Sequence, residues 1–248
     1  MPDNNAQPVP EKNFPEKPSS EKPKKHSMLA NLGFNILIPT LILSKLSGEN
    51  YLGPVYSIVV ALAFPIAYGA RDYLNAHKPN FFSILGVISV ILTGGMSLLK
   101  FPPEYIAIKE AAIPSLLGLA TLLSMYTRHP LVRTFLYNDQ ILQVDKVSAA
   151  LQTHNTTDAF EHHLKVASYL VAGSFFLSAV LNYALAKIIL VSAPGSTEFA
   201  EELGKMTALS FPVIALPCTI VMAGTLYYLL SSIQKLTRLS LEEIMQET

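Results

Sequence analysis

Apolar residues along this chain come in long runs almost free of charge. Six stand out, at about 29–46, 54–70, 81–99, 105–126, 164–191 and 207–231. Each reaches or approaches the ~17–25 residues with which a helix crosses ~30 Å of hydrocarbon. A membrane β-barrel would show shorter, alternating segments, and none is present. The polar connections at 47–53, 71–80 and 100–104 are short, so the helices they join are predicted to be antiparallel neighbours. The connection at 127–163 is longer and polar, and that at 192–206 is acidic. The pattern predicts an all-α, polytopic membrane protein: a six-transmembrane-helix bundle over residues 28–231 that spans a lipid bilayer.

Residues 1–27 have a different character. Six prolines punctuate them, Pro-Glu-Lys occurs at 10–12 and again at 15–17, and almost nothing apolar is available to offset chain entropy. They read as a disordered N-terminal tail. Their basic stretch is too long for a secretory signal peptide, and no small-residue cleavage site follows the first apolar run. Residues 232–248 read as a C-terminal tail.

Composition narrows the function. Only 15% of residues are charged, against roughly 25% in an ordinary soluble domain, and this excludes a soluble enzyme. A net charge of zero and a pI near 7.0 argue against nucleic acid as a partner. The single cysteine, Cys218, excludes an intrachain disulfide framework and a cysteine-cluster zinc site. Of the 18 Lys and Arg residues, most lie in the tails and in the connections at 71–80 and 127–163, on one side of a six-span arrangement. The positive-inside bias then places both termini in the cytoplasm. With no tryptophan in the chain, tyrosines such as Tyr51, Tyr56, Tyr126 and Tyr227 take the interfacial positions.

Candidate chemistry lies inside the runs. Pro39, Pro65, Pro114 and the pair Pro212 and Pro217 interrupt four of the six segments. Each lacks a backbone donor and frees a carbonyl about a turn earlier. Such breaks are simple kinks, or they build the midplane sites that transporters use. Ile38-Pro39-Thr40-Leu41 and Ile113-Pro114-Ser115-Leu116 look alike, as an inverted repeat would. Lys109 and Glu110 are charges in the fourth segment. Glu110 precedes Pro114 by one turn and reads either as a proton- or cation-binding carboxylate or as half of an interfacial ion pair with Lys45 or Lys100. Asn31, Asn35 and Asn182 are polar groups in apolar surroundings, expected to bridge helices. Gly94-Gly95 and Gly173-Ser174 suit close helix packing.

His154, Asp158 and His162 fall at i, i+4 and i+8, but Thr156-Thr157-Asp158 reads as a helix start, which favours a solvated approach to the fifth segment over a metal site. The stretch 131–151 reads as a helix lying on the membrane surface or as one covering the bundle. There is no phosphate-binding glycine loop, no Gly-x-Ser-x-Gly elbow and no dinucleotide fingerprint. The sequence therefore calls for no enzyme activity, cofactor or metal.

Ile113 to Ala120, Leu122-Leu123-Ser124 and His129-Pro130-Leu131-Val132-Arg133, followed by Phe176 to Tyr183 and Glu202-Leu203-Gly204-Lys205, resemble the intracellular septation protein A family of small polytopic bacterial inner-membrane proteins. The similarity covers roughly 105–230 well and 29–99 loosely. This chain departs from the family in its long tail, its expanded 127–163 connection and its lack of tryptophan. The resemblance implies an inner-membrane protein that supports cell-envelope maintenance or septation through other envelope or division proteins, with no catalytic residues to carry over.

Two roles stay open. A scaffold requires a packed centre. A small secondary transporter or channel requires a polar midplane lined by Pro39, Pro114 and Glu110, and six helices would call for a homo-oligomer. The orientation is tested by reporter fusions: those after Lys78, at Asn155 and after Arg238 are expected to read cytoplasmic, and one at Ser196 periplasmic. A cytoplasmic signal at Ser196 overturns the topology.

Overall fold

The computed structural model describes residues 33–76, 81–127, 130–137 and 141–245. These residues are helical throughout their ordered elements, with one isolated antiparallel bridge between Leu142 and Met245. In chain order, a π-helical turn, Gly33–Leu37, leads into α1 (Ile38–Lys45). There follow α2 (Gly53–Ala76), α3 (Phe81–Leu98), α4 (Pro103–Ser124) and the short α5 (Leu131–Leu136) and α6 (Val144–Thr153). Then come α7 (Thr157–Ile189) and α8 (Thr197–Ser210), which passes through a second π-helical turn, Phe211–Ala215, into α9 (Leu216–Thr237). A last turn, α10 (Leu241–Ile244), follows. The expected tail over 1–27, together with Asn31, Lys78 and Arg128, lies outside the described residues.

The described parts of all six apolar runs lie on helix. Four described stretches are long and apolar enough to cross a membrane: Gly53–Arg71, Pro103–Ser124, Thr157–Ile189 and Thr197–Thr237. Of the first run the structure describes the π turn and α1, residues 33–45. α3 is an apolar helix of 18 residues, roughly 27 Å long at 1.5 Å per residue. The four spans bury only 17–39% of their apolar windows inside the protein. Leu116, Leu123, Val180, Ile188 and Ile220 all stand exposed. Water would penalise so much open apolar surface, whereas lipid accepts it. The chain is built as a membrane protein.

Small residues set the helix contacts. At Gly118 in α4 a Cβ would stand 3.1 Å from the Phe176 ring of α7, so the ring seats directly on the α4 backbone. At Gly204 in α8 a Cβ would stand 2.9 Å from Leu43 Cβ, 3.0 Å from Ser44 Oγ and 3.2 Å from the Thr40 carbonyl. That contact is with the root of a side chain and with backbone of α1, neither of which can swing aside. Gly94 brings α3 against Leu62 of α2. Across α7 and α9, the Ser174 hydroxyl donates to the Cys218 carbonyl at 3.4 Å.

The two π turns have one cause. Each ends two residues before a proline, Leu37 before Pro39 and Ala215 before Pro217. A proline has no N–H for the carbonyl four residues back, and its ring presses on that carbonyl. Widening the preceding turn relieves the clash without ending the helix. Pro65 and Pro114 sit instead inside continuous α2 and α4.

Buried apolar residues form two clusters. One joins Leu43, Ile58, Ile106, Leu185, Phe199 and Leu203, from α1, α2, α4, α7 and α8. The other joins Val132, Val147, Leu151, Phe160, Leu164, Ile233 and Ile244, from α5, α6, α7, α9 and α10. So the 131–151 stretch covers the end of the bundle, the second of its two expected readings. Residues past 231 take part in this cap. Gln143 N–H donates to the Ile244 carbonyl at 2.8 Å, and Lys146 meets Glu243 at 3.3 Å. The Ser240 backbone and side chain donate to the Glu243 carboxylate, holding its pKa below the usual carboxylate value.

The glycine contacts yield a paired prediction. Gly204→Ala is expected to lower stability by about 1–2 kcal/mol, because overpacking at α1 outweighs the gain in helix propensity. Gly224→Ala, with no neighbour within 4 Å, is expected to be neutral or to stabilise by less than ~1 kcal/mol. Thermal unfolding in detergent measures both; equal melting temperatures would remove Gly204 from its role at the α1–α8 crossing.

Candidate functional site

On α3, Ser89, Thr93 and Ser97 stand at i, i+4 and i+8, one stripe of hydroxyls on an otherwise apolar helix. Against that stripe α4 lays Lys109 and Glu110. Lys109 is roughly 9 Å along α4 from Pro103 at 1.5 Å per residue. Its ammonium is 2.7 Å from Glu110 Oε1, 3.1 Å from Ser89 Oγ and 3.3 Å from the Ser89 carbonyl, and it also donates to Thr93 Oγ1. The Thr93 hydroxyl lies 3.1 Å from the same Glu110 oxygen and 3.0 Å from the Ser89 carbonyl. The two charged side chains are only 10% and 20% exposed. Glu110 thus pairs with its own neighbour rather than with Lys45 or Lys100. Its second oxygen, Oε2, has no hydrogen-bond partner among the described residues.

Glu110 lies in the wall of a partly open cavity of about 250 Å³ lined by α1, α2, α3, α4, α7 and α8. Three residues singled out in the sequence meet here: Pro39, Glu110 and Asn182. Pro65, inside continuous α2, and Ser210, the residue before the second π turn, join them, so helix prolines and a π turn adjoin the cavity. Pro114 is one turn beyond Glu110 and is not among the lining residues. Of the expected Pro39, Pro114 and Glu110, the cavity wall holds Pro39 and Glu110, and Pro65 of α2 joins them. Asn182 does not bridge helices as expected. Its Nδ2 donates to Ser178 O at 2.8 Å and Ser178 Oγ at 3.2 Å, within α7. Asn35 falls in the first π turn, and its side chain is outside what the structure describes.

The hydroxyls of Ser89, Thr93, Ser97, Thr207 and Ser210 were not singled out from the sequence, although they line the cavity. The signal was present as the four-residue spacing on α3 and the Thr207–Ser210 pair near the α8 break. The His154, Asp158, His162 stripe does not form. His154 caps α6 and α7 begins at Thr157, as the helix-start reading expected. His163 instead clasps α7 to α9, with Nδ1 2.6 Å from the Tyr228 hydroxyl and 3.3 Å from Ser232 Oγ. Among the described residues no group of three or more His, Cys, Asp or Glu could hold a metal ion. Arg133 pairs with Glu161 at 3.0 Å, tying α5 to α7.

Compared with known protein families, characterised proteins and solved structures, the chain matches none.

Breaking a buried ion pair by removing one partner is costly, whereas removing both is nearly neutral. Glu110→Leu is therefore expected to lower stability by about 3 kcal/mol, and Lys109→Met with Glu110→Leu to return within ~1 kcal/mol of the wild type. Denaturation of the purified protein in detergent checks this; a double replacement as unstable as the single one would show that the charges are not compensating each other.

Proposed function

We propose that this chain is a small multi-pass carrier or channel that passes a small polar solute through the cavity beside Glu110. The observation that carries the reading is a mostly buried ion pair whose carboxylate lines a largely apolar cavity that also holds five hydroxyl residues, Asn182 and two helix prolines. Ionisable groups inside a membrane are expensive, and they mark solute or ion paths when they face a cavity. Broken helices expose backbone and hydroxyl groups at the same depth, which is how transporters assemble a site. A pair that served packing alone would need no cavity, and apolar residues of similar volume would serve packing as well.

Of the two roles the sequence leaves open, transport has a structural feature behind it. Support of septation called for a packed centre, and the centre holds a cavity. The resemblance to the septation family remains the ground for that other role and for a bacterial inner membrane. The charge bias remains the ground for cytoplasmic termini, which would put the cap of α5, α6 and α10 on the cytoplasmic side.

Stopped-flow light scattering of proteoliposomes tests the reading, with glycerol, urea and choline chloride as osmotic probes. Wild-type protein is expected to speed the entry of at least one probe over empty liposomes. Glu110→Gln, and the stable double replacement Lys109→Met with Glu110→Leu, are expected to abolish that gain while the protein stays folded. Wild-type rates equal to those of empty liposomes for every probe, or gains that survive both variants, overturn it.

A further inference from the structure

The hydrogen-bond pattern of the cavity wall specifies which side of a hydrogen bond a solute must supply. Thr93 has one hydroxyl proton, directed to the Ser89 carbonyl or to Glu110. Ser97 donates to the Thr93 carbonyl at 2.7 Å, Thr207 to the Leu203 carbonyl at 2.8 Å and Ser210 to the Met206 carbonyl at 2.7 Å. Asn182 directs its amide N–H groups to Ser178. A hydroxyl carries one proton and two lone pairs, and an amide oxygen has two more lone pairs. Once these donors are engaged within their own helices, what remains toward the cavity is acceptors: hydroxyl lone pairs, Asn182 Oδ1 and Glu110 Oε2. Ser89 alone among the lining hydroxyls keeps its proton, since its oxygen accepts from Lys109.

Charge narrows the choice further. Among the described residues Glu110 is the one ionisable residue in the wall, and Lys109 neutralises it at 2.7 Å. A cation entering would bring net charge into a low-dielectric site beside an ammonium, and a desolvated charge without a partner is heavily penalised. An anion would find lone pairs in place of donors. A neutral molecule rich in O–H or N–H groups meets both conditions. The rest of the wall is apolar, with Leu43, Ile58, Ala61, Leu62 and Leu185 suited to a short carbon skeleton. The cavity's 250 Å³ corresponds to roughly eight waters at ~30 Å³ each, which is metabolite size.

We infer that the solute is a small uncharged hydrogen-bond donor of the polyol or amide class, held by acceptors on α3, α4, α7 and α8. This rests on the reading of the cavity as a solute path, and it says which solute the path accepts.

The test is protection of a cysteine in the cavity. Ala61 lines the wall, and Ala61→Cys in a Cys218→Ala background gives one thiol for methyl methanethiosulfonate in detergent or liposomes. At equal osmolality, erythritol and acetamide are expected to slow labelling several-fold, and methylammonium chloride and sodium acetate to leave it unchanged. Glu110→Gln adds an amide donor to the wall and leaves Lys109 unpaired, so acetate is then expected to protect and erythritol to lose its effect. Thr207→Val, which removes one acceptor and keeps the shape, is expected to weaken erythritol protection should Glu110→Gln fail to fold. Protection by methylammonium equal to that by erythritol, or protection by none of the four, overturns the inferred class and leaves the transport reading to the flux measurement. A thiol that does not label at all shows a closed cavity and overturns both.

Discussion

A charge placed in a membrane span must be neutralised where it sits, because the bilayer supplies no counter-ion. Lys109 and Glu110 meet that requirement on one turn of α4. Adjacent residues on a helix diverge and do not ordinarily face each other. They meet because both side chains bend toward the hydroxyl stripe of α3, where Thr93 contacts the two at once. The α3–α4 seam is thus held by polar contacts rather than by a close apolar fit. Ser89, Thr93 and Ser97 are needed to complete the shell of the ammonium and to keep the carboxylate oriented. A neutral, hydrogen-bonded knot lets a helix with two charges remain a membrane span.

The cavity follows from a second constraint, the missing donors of proline. Pro39 and Pro217 each widen the turn ahead of them into a π turn, and Pro65 interrupts the ladder within α2. Broken helices cannot lie flush along their whole length. Close contact is kept at Gly204, where α1 rests on α8, and space opens beside it. The hydroxyls of Thr207 and Ser210 fold back on carbonyls one turn earlier in their own helix, as Ser and Thr in membrane helices ordinarily do. That local satisfaction is what leaves the wall rich in acceptors.

These constraints also explain what could be read from the sequence. Long charge-free runs predicted helices in a membrane because length and hydropathy are properties of a single segment. Pro39, Glu110 and Asn182 were visible as misfits in apolar surroundings, and the cavity gathers all three. Pro114 was an equal misfit in sequence, but it is absent from the lining, and no local signal says which face of a bundle a residue will occupy. The hydroxyls were missed because Ser and Thr in a membrane helix ordinarily bond back to the carbonyl one turn earlier. They do so here as well, and only the arrangement of neighbouring helices gives their lone pairs a common direction. The cap was ambiguous for a similar reason: Val147 and Leu151 give α6 one apolar face, which lipid or a neighbouring helix would satisfy equally well.

One helix joins the two halves of the molecule. α7 runs 33 residues without a proline, roughly 50 Å at 1.5 Å per residue, well beyond the thickness of hydrocarbon. Near its start, Phe160 and Leu164 anchor it in the cap, and near its end Leu185 belongs to the core around the cavity, with Asn182 one turn away. The other walls are α1, α2, α3, α4 and α8, of which α1, α2 and α4 carry a proline and α8 runs into the second π turn. The cavity is therefore bounded by proline-free α7 and α3 and by several bendable helices. A straight helix transmits displacement along its length, while a π turn or proline kink absorbs it. Any rearrangement that opened the cavity would concentrate at the breaks, while α7 carried the cap along as its fixed frame. The His163–Tyr228 clasp secures α9 to α7 beyond the second π turn, so the freedom that turn provides falls on α8 and on the cavity wall it supplies.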